Sequence, residues 1–218
     1  MKVNIVNIFL SLFFFCSKPR FCFYPLISTW LNPYLCGVQK LSLQNLNRLS
    51  TEEFRQAAKI PCIAVLDNVR SMHNVGSVFR TADAFRLEKI VLCGITGCPP
   101  HREITKTAIG ADKSVLWEYS PSALEIALLL KKEGYTIAAV EQAVKSTPLH
   151  EIFWGEKPHV FVFGNEIDGI SQEVLEICDL CIEIPQAGTK HSLNISVAAG
   201  IVLWEFAKGY LPLLPSSA

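Results

Sequence analysis

The sequence predicts an α/β domain in which helices cover both faces of a mostly parallel β-sheet. Two observations support this fold class. Short apolar runs alternate along the chain with segments of helical periodicity, a pattern typical of doubly wound sheets. Of the 218 residues, 50% are hydrophobic and 18% are charged, a composition that supplies a large core and excludes a disordered or fibrous protein. Six strands are expected, with no internal repeat and no second domain.

Residues 1–40 are predicted to be an extension outside this domain. Residues 1–51 hold five cations and no acidic residue, while the rest of the chain carries 15 cations and 20 acidic residues. The apolar run from Val3 to Phe15 has the length of a signal-peptide core and is too short to span a bilayer. An unstructured extension is the favoured interpretation, with an export or membrane signal and a transit peptide as alternatives. The domain is expected over residues 41–210, with a tail at 211–218.

The first helix is predicted over Ser42–Lys59, where apolar residues recur at helical spacing. Thr51 followed by two glutamates favours a helix start, and Pro61 ends the helix. The apolar run that follows is typical of a buried parallel strand. The elements predicted next are strand Cys62–Leu66, helix Val75–Phe85, strand Lys89–Cys93, the loop-rich stretch Gly94–Ser114 and strand Val115–Tyr119.

Proline and glycine mark the ends of the next predicted helix. Pro121 is expected in its first turn, the helix runs to Lys132, and Gly134 stops it. Ser171 is predicted to cap a short helix that reaches Ile177. The remaining predicted elements are strand Tyr135–Val140, strand His159–Phe163, strand Leu180–Ile184 and a long final helix, Ser192–Lys208.

Ligands of parallel sheets bind beyond the carboxyl ends of the strands, so site residues are expected in the loops that follow strands. The first such loop leads into a helix over residues 67–82. Asn74 is placed to cap that helix, and Arg70 and Arg80 can both bind phosphate. The alternative is that Asn74 is only a cap and Arg80 only a surface charge.

The second loop joins a buried strand directly to Gly164-x-Glu166-x-x-Gly169. Gly164 lets a ligand approach the main chain, and Gly169 permits a turn. Glu166, at the exit of the strand, can hold a cation or a polar group of a ligand. The alternative is a tight turn with a solvated carboxylate.

The third loop leaves the strand that ends at Ile184 and enters the final helix. Ser192 and Asn194 place a hydroxyl and an amide at the start of that helix, where they can cap it or bind a ligand. Small residues follow and would let another segment of main chain pack closely. Simple capping is the alternative.

In order and spacing, the three loops together resemble the SpoU family of RNA 2′-O-ribose methyltransferases, within the SPOUT superfamily. The matching motifs are Asn74-x-Gly76-x-x-x-Arg80-Thr81-Ala82, Gly164-x-Glu166-x-x-Gly169, and Ile184-Pro185 through Ser192-Leu193-Asn194-x-Ser196-x-Ala198. The resemblance runs from about Leu41 to Lys208. It implies a six-stranded, mostly parallel sheet with a deep C-terminal trefoil knot between about Phe161 and Lys208. It also implies a homodimer whose site is shared between subunits.

The resemblance implies transfer of a methyl group from S-adenosyl-methionine to a ribose 2′-hydroxyl of tRNA or rRNA, with no metal ion. Arg80 is then expected to organise the hydroxyl or a neighbouring phosphate, because arginine stays protonated in proteins. The residues implied for catalysis are Arg80, Asn74, Glu166, Ser192 and Asn194. Those implied for the methyl donor are Gly164, Ile184, Leu193 and Val140. The alternatives are a catalytically inactive RNA-binding or assembly protein on the same fold, and a different α/β enzyme.

A formal net charge of zero excludes a general basic coat for nucleic acid, but a local basic patch remains compatible with it. Several cations fall in the long stretch 99–114, and long connections are often functional. RNA contacts are expected at Arg70, His101, Arg102, Lys106, Lys113 and Lys190. The alternative is that these are ordinary solvated charges.

The eight cysteines lack the spacing of a small secreted scaffold and are predicted to be mostly reduced, buried thiols. Cys178-x-x-Cys181 has redox or zinc spacing, but no second pair follows at zinc distance, so structural thiols are favoured. The sequence therefore predicts a cytoplasmic protein that does not act at a membrane.

Overall fold

The computed structural model describes residues 40–42, 46 and 48–214. A boundary between two units falls after Asn45, and the sheet with its helices belongs to the unit Leu46–Ala218. The predictions for the segment Val3 to Phe15 and its surroundings lie outside the described residues, and the division of the chain at residue 40 stays a prediction. Within the described part of the chain, no helix is both long and apolar enough to cross a membrane.

The described residues form one sheet of seven strands in the order β3-β2-β1-β6-β4-β7-β5. Every neighbouring pair in this sheet is parallel. The strands are β1 Ile60–Asp67, β2 Leu87–Cys93, β3 Trp117–Ser120, β4 Thr136–Val140, β5 Thr147–Pro148, β6 His159–Phe163 and β7 Leu180–Glu183. The predicted fold class is confirmed, and all six predicted strands are present. The additional strand, β5, has two residues and pairs with the end of β7 at the edge of the sheet. The trefoil knot stays a prediction.

Seven α-helices occur in the described part of the chain. They are α1 Thr51–Gln56, α2 Met72–Ala84, α3 Arg102–Ala108, α4 Ala111–Ser114, α5 Ala123–Lys132, α6 Gln172–Ile177 and α7 Ile195–Ala207. Two short 3₁₀ helices are also present, Leu149–Glu151 and Leu211–Leu213.

The first helix is much shorter than predicted, because a capping box fixes its start. The helix expected over Ser42–Lys59 begins at Thr51, and residues 48–50 are not helical. Ser50 Oγ accepts a hydrogen bond from Glu53 N (3.3 Å), and the Glu53 carboxylate accepts one from Ser50 N (2.7 Å). This reciprocal pair satisfies two amides at the first turn, and the apolar periodicity before it does not extend the helix.

The stretch 94–114, expected to be a loop, contains α3 and α4. The two helices are joined by Ile109 and Gly110, which both have positive φ values (51° and 91°). Apolar side chains of both helices are buried, among them Ile104, Ala108 and Ala111. The glycines and prolines at the beginning of this stretch favoured the prediction of a loop, so the two helices that follow were missed.

Two further helix starts differ from the prediction by a few residues. Pro121 precedes α5 rather than occupying its first turn, because Ser122 caps the helix by accepting a hydrogen bond from Glu125 N (3.2 Å). The final helix begins at Ile195 rather than at Ser192, because Asn194 is its N-cap. Ser192 therefore lies in the preceding loop.

The sheet is buried on both faces, as expected for a doubly wound fold. Alternate side chains of β1 point to opposite sides, with Ala64 and Leu66 in one core cluster and Ile63 and Val65 in the other. Helices α2 and α7 cover the first face, and α5 and α6 cover the second. Since burial on both faces fixes the sheet, the loops at its carboxyl edge have a rigid base.

Candidate active site

A cavity of about 480 Å³ lies beyond the carboxyl ends of β4, β6 and β7, within the usual size range of small-molecule sites. It is lined by all four residues predicted to hold the methyl donor: Val140, Gly164, Ile184 and Leu193. Three of the residues predicted for catalysis also line it: Glu166, Ser192 and Asn194. The structure therefore brings these seven residues together around one cavity.

Glu166 connects the loop after β6 to the loop after β1. One carboxylate oxygen accepts a hydrogen bond from Arg70 N (3.0 Å). The other accepts from Ser71 N (3.1 Å) and from Asn74 Nδ2 (3.1 Å). Partial burial raises the pKa of Glu166, but the hydrogen bonds from these three donors, together with one from its own main chain, outweigh burial and hold the pKa below its ordinary value. Glu166 is therefore ionised at neutral pH and fully engaged in holding the two loops together.

Asn74 extends this connection to the third loop. Asn194 Nδ2 donates a hydrogen bond to Asn74 Oδ1 (3.1 Å). The other side of the Asn194 amide is fixed by capping α7, where its oxygen accepts from Ser196 N (2.9 Å) and Ser196 Oγ (2.7 Å). Glu166, Asn74 and Asn194, one from each of the three motifs, thus form a continuous hydrogen-bonded chain.

The predicted capping role of Asn74 is wrong. The helix begins earlier, at Met72, and Ser71 is its N-cap, with Ser71 Oγ accepting from Asn74 N (3.3 Å). Because Ser71 performs the capping, the Asn74 side chain is released to bridge Glu166 and Asn194.

Asn165 is a site residue that the sequence analysis missed. It is buried, and its amide donates to Asn68 O (2.7 Å), on the neighbouring loop. Its oxygen accepts from Ile167 N (2.8 Å) and Asp168 N (3.2 Å), which shapes the turn that presents Glu166. The preference of asparagine for hydrogen-bonding its own turn, in a position directly after a buried strand, could have identified it.

Gly164 is required by packing, and the role predicted for it, letting a ligand approach the main chain, stays a prediction. A Cβ atom at this position would lie 2.3 Å from the carbonyl carbon of Gly169 and 2.4 Å from Ile170 N. The main chain of the turn closes back on the strand end through two hydrogen bonds of 3.0 Å between Asn165 and Gly169. Any side chain at position 164 would force this turn open beside the cavity.

Two further cavity residues, Glu141 and Gln142, follow β4 and were also missed. A Glu141 carboxylate oxygen accepts from Ile170 N (3.1 Å), and Gln142 Nε2 donates to His191 O (2.8 Å). They tie the end of β4 to the loops after β6 and β7. Their position at the carboxyl end of a strand was the available indication.

The structure does not place Arg80 at this cavity. Six residues separate it from Asn74 along α2, which is about 240° around a helix, so the two side chains leave different sides of α2. Arg80 is exposed and lines a second cleft, of about 590 Å³, together with Lys106 of α3 and Gly200 of α7. Within the described part of one copy, its guanidinium makes neither a hydrogen bond nor an ion pair.

Five of the cations predicted to contact RNA are exposed: Arg70, Arg102, Lys106, Lys113 and Lys190. Arg70 Nη2 lies 3.8 Å from a carboxylate oxygen of Asp168, and both side chains are exposed. His101 instead caps α3, with Nδ1 accepting from Glu103 N (3.2 Å). RNA contacts of these residues stay a prediction.

The Cys178-x-x-Cys181 pair spans the end of α6 and the strand β7, and both thiols are partly buried. Burial raises the pKa of Cys178 and is the main reason that the pKa of Cys181 rises to about 11. Such thiols are poor nucleophiles at neutral pH. Across the described ranges, no group of three or more His, Cys, Asp and Glu side chains is arranged to hold a metal ion.

Comparison with known proteins points to the same family as the three motifs around the cavity. Residues 61–204 match the family described as "SpoU rRNA Methylase family". The chain is 33% identical over 151 residues to the mouse tRNA (guanosine(18)-2′-O)-methyltransferase TARBP1, covering 68% of this chain and 9% of that protein. It is 32% identical over 158 residues to the tRNA (guanosine(18)-2′-O)-methyltransferase of Thermus thermophilus, covering 72% of this chain and 80% of that protein.

Among solved structures, the AdoMet-bound rRNA methyltransferase of Sinorhizobium meliloti superposes with a TM-score of 0.65 at 30% identity, covering 75% of this chain and 62% of that one. The family predicted from the three motifs is thereby confirmed. This chain belongs to the SpoU rRNA methylase family.

Proposed function

We propose that this chain, as an RNA 2′-O-ribose methyltransferase of the SpoU family, transfers a methyl group from S-adenosyl-methionine to a guanosine ribose of tRNA or rRNA. The observation that carries the proposal is the hydrogen-bonded chain Glu166–Asn74–Asn194 beside a cavity at the carboxyl edge of the sheet. The mouse and Thermus relatives are named for guanosine 18 of tRNA, and the Sinorhizobium relative is an rRNA methyltransferase. These names support the choice of guanosine and of these two RNA classes.

The residues around the cavity fit the methyl donor. Val140, Ile184 and Leu193 supply apolar surface for a flat base, and Gly164 adds main-chain groups to the cavity wall. Glu141 and Gln142 add polar groups for the ribose and amino-acid portion. When bound, S-adenosyl-methionine supplies an electrophilic methyl group on a sulfonium sulfur.

The protein must orient the ribose hydroxyl and help to remove its proton, because an alcohol is a poor nucleophile. Arg80 cannot serve as the base, since its guanidinium stays protonated, and it acts by orienting the ribose or a neighbouring phosphate. Glu166 does not accept the proton either, because its carboxylate already accepts three hydrogen bonds. An RNA phosphate is the proton acceptor that we favour, with Ser192 and Asn194 lining the approach to the reacting group.

A homodimer is part of the proposal, because one copy does not bring Arg80 to the cofactor cavity. Helix α7 exposes an apolar face of Val197, Ile201 and Trp204, which are 49%, 38% and 51% exposed. A helix that is apolar on all sides is normally covered on all sides. A second copy packed on this face would bury it and place the Arg80 cleft of one subunit against the other subunit.

We place the reaction in the cytoplasm. The five described cysteines are all free thiols, which is usual in a reducing compartment.

The test is methyl transfer by the whole 218-residue chain with labelled S-adenosyl-methionine and unmodified tRNA and rRNA transcripts. We expect label in 2′-O-methylguanosine. It should be lost with Arg80→Ala and retained with Arg48→Ala, which removes another exposed arginine. Donor binding without methylation of either RNA class would instead support an inactive RNA-binding or assembly protein on the same fold.

A further inference from the structure

The loop after β2 (residues 94–97, the β2 loop) holds the loop after β1 (residues 68–71, the β1 loop). The contact is made by Thr96, which is buried, with 3% of its surface exposed. Its hydroxyl accepts a hydrogen bond from Val69 N (2.9 Å) and donates one to Leu66 O (3.0 Å). One buried hydroxyl therefore connects the last part of β1 to the middle of the β1 loop and uses both its donor and its acceptor to do so.

Asn68 adds a second connection between the two loops. Its side-chain oxygen accepts from Ile95 N (3.1 Å), and its main-chain N donates to Cys93 O (3.2 Å). Asn68 has a φ of 56°, in the left-handed region. Such a conformation persists where the surrounding contacts over-determine it. The shape of the β1 loop therefore depends on the β2 loop as well as on its own sequence.

The β1 loop carries the main-chain donors that hold Glu166. Arg70 N and Ser71 N donate to the Glu166 carboxylate (3.0 and 3.1 Å), and Ser71 also caps α2. Val69, whose N–H is bound by Thr96, is fully buried and directly precedes Arg70. A displacement of Val69 would therefore move both main-chain donors relative to Glu166.

We propose that Thr96 is a positioning residue for methyl transfer, acting through the β1 loop on Glu166. Because it is buried, Thr96 contacts neither the methyl donor nor the RNA. The inference rests on the proposed function and extends the support of the site to the β2 loop, which lies outside the three motifs. The cofactor cavity is lined by the ends of β4, β6 and β7, the loops that follow them, and α7. Loss of the Thr96 hydroxyl should therefore affect the catalytic step more than donor affinity.

The first measurement is the pKa of Glu166, followed by NMR on the whole 218-residue chain carrying isotope-labelled glutamate, with Glu166→Gln to assign the signal. Thr96→Val keeps the shape of the side chain but leaves Val69 N without its acceptor. Weaker donation from the displaced β1 loop should raise the pKa of Glu166 toward its ordinary value of 4.5. Thr96→Ser keeps the hydroxyl and should keep the pKa low.

The second measurement separates kcat from donor affinity. Thr96→Val should lower kcat for methyl transfer about tenfold, the effect of leaving one buried donor unsatisfied. The Kd for S-adenosyl-methionine, measured by calorimetry, should be unchanged, and Thr96→Ser should restore kcat.

Ser120→Ala is the matched control, because the Ser120 hydroxyl likewise bridges main-chain atoms after another strand, β3. It donates to Ser122 O (3.0 Å) and accepts from Ser122 N (3.4 Å). This variant should lose stability in urea but keep the Glu166 pKa and the kcat of the wild type.

A Thr96→Val protein with the Glu166 pKa and kcat of the wild type would overturn the inference, and so would equal changes in Ser120→Ala. If Thr96→Val does not fold, hydrogen exchange of the Val69 amide in the wild type is decisive, since rapid exchange would show that Thr96 does not hold it. Methylation of RNA by the wild type in any of these cases would leave the proposed function standing. A wild type that methylates neither RNA class would remove the proposed function, while the pKa of Glu166 would still test the action of Thr96 on it.

Discussion

At the scale of single residues, Glu166 is a carboxylate beside the candidate active site whose hydrogen bonds fix geometry. Its two oxygens accept from the main chain at Arg70 and Ser71 and from the Asn74 amide. These donors lie on the loop after β1 and in the first turn of α2, more than 90 residues away in the chain. The ionised carboxylate therefore sets the position of Asn74 relative to the cavity.

Replacing Glu166 by Gln should strongly reduce methyl transfer, because one of the three donors would then face an NH₂ group. The same variant should unfold at lower urea concentration at pH 7. Glu173→Gln, on the exposed side of α6, is the matched control and should change neither activity nor the urea midpoint.

The difference in stability between the wild type and Glu166→Gln should become smaller as the pH falls. The pKa of Glu166 is below its ordinary value of 4.5 in the folded protein. The stabilising contribution is therefore complete above pH 4.5 and is lost as the pH falls through the lowered value. Urea unfolding at pH 7 and at successively lower pH should show the free energies of unfolding of the wild type and of Glu166→Gln approaching each other in acid. A constant difference across this range would contradict the interpretation.

Asn165 gives a second prediction at this scale. In Asn165→Asp one carboxylate oxygen can still accept from Ile167 N and Asp168 N. The other would replace the amide nitrogen that now donates to Asn68 O at 2.7 Å, so two oxygens would face each other. Loss of this buried donor should cost about 1–3 kcal/mol of unfolding free energy. It should also raise the KM for S-adenosyl-methionine, because the turn lines the cavity. Unchanged unfolding and KM would show that the amide does not position this turn.

At the scale of elements, the packing of α2 against α3 depends on Gly76. A Cβ atom at this position would lie 2.1 Å from Thr107 Oγ1 and 2.3 Å from Ile104 O. The second of these is a main-chain atom and cannot rotate away. The glycine of the first motif therefore lets α3, which carries Arg102 and Lys106, approach α2 closely.

Gly76→Ala should consequently lower the unfolding free energy by about 1–3 kcal/mol, the usual cost of overpacking. Gly200→Ala is the matched control, since it is also helical but has open space around its Cβ position. That variant should be neutral or gain about 0.5–1 kcal/mol from helix propensity. Thermal or urea unfolding of both variants measures this effect. If Gly76→Ala were as stable as the wild type, α3 could move away from α2 without loss of stability.

The sequence predicted the buried elements well and the amphipathic surface elements less well. Strands such as β1 and β6 are continuous apolar runs with few other interpretations. By contrast, the start of α1 is set by the Ser50–Glu53 capping box, and the two-residue β5 exists only because the end of β7 lies beside it. Both depend on specific partners that hydrophobic periodicity does not reveal.

The same distinction applies to the site. The motifs identified Glu166, Asn74 and Asn194, but their contacts join residues 92 and 120 positions apart, and only the folded sheet brings these together. The capping role of Asn74 was predicted wrongly because Ser71, three residues earlier, competes for it. Local sequence could not show that Arg80 leaves α2 toward a different cleft.

At the scale of the whole molecule, one copy contains a cofactor cavity and a cationic cleft that do not meet. The apolar face of α7 adjoins the cleft at Gly200. Dimerisation through α7 would cover exposed apolar surface and complete the site in one step. Catalysis and assembly are then expected to fail together when this face is made polar.

Trp204→Glu should convert the dimer into a monomer, because it places a charge in the apolar face of α7. Since Trp204 also contacts Phe85 within the same copy, with ring centroids 5.7 Å apart, Val197→Glu provides a second test. Position 197 lies in the first turn of α7, where an acidic residue favours the helix, so folding should be preserved.

Phe153→Glu, at an aromatic residue 94% exposed and outside α7, is the matched control. Sedimentation should show monomers for the two α7 variants and dimers for the control. Methyl transfer should be lost only in the monomers, although each still binds S-adenosyl-methionine in its own cavity. A fully active monomer, or a dimer unaffected by both α7 substitutions, would show that the site is complete in one copy or is shared through another face.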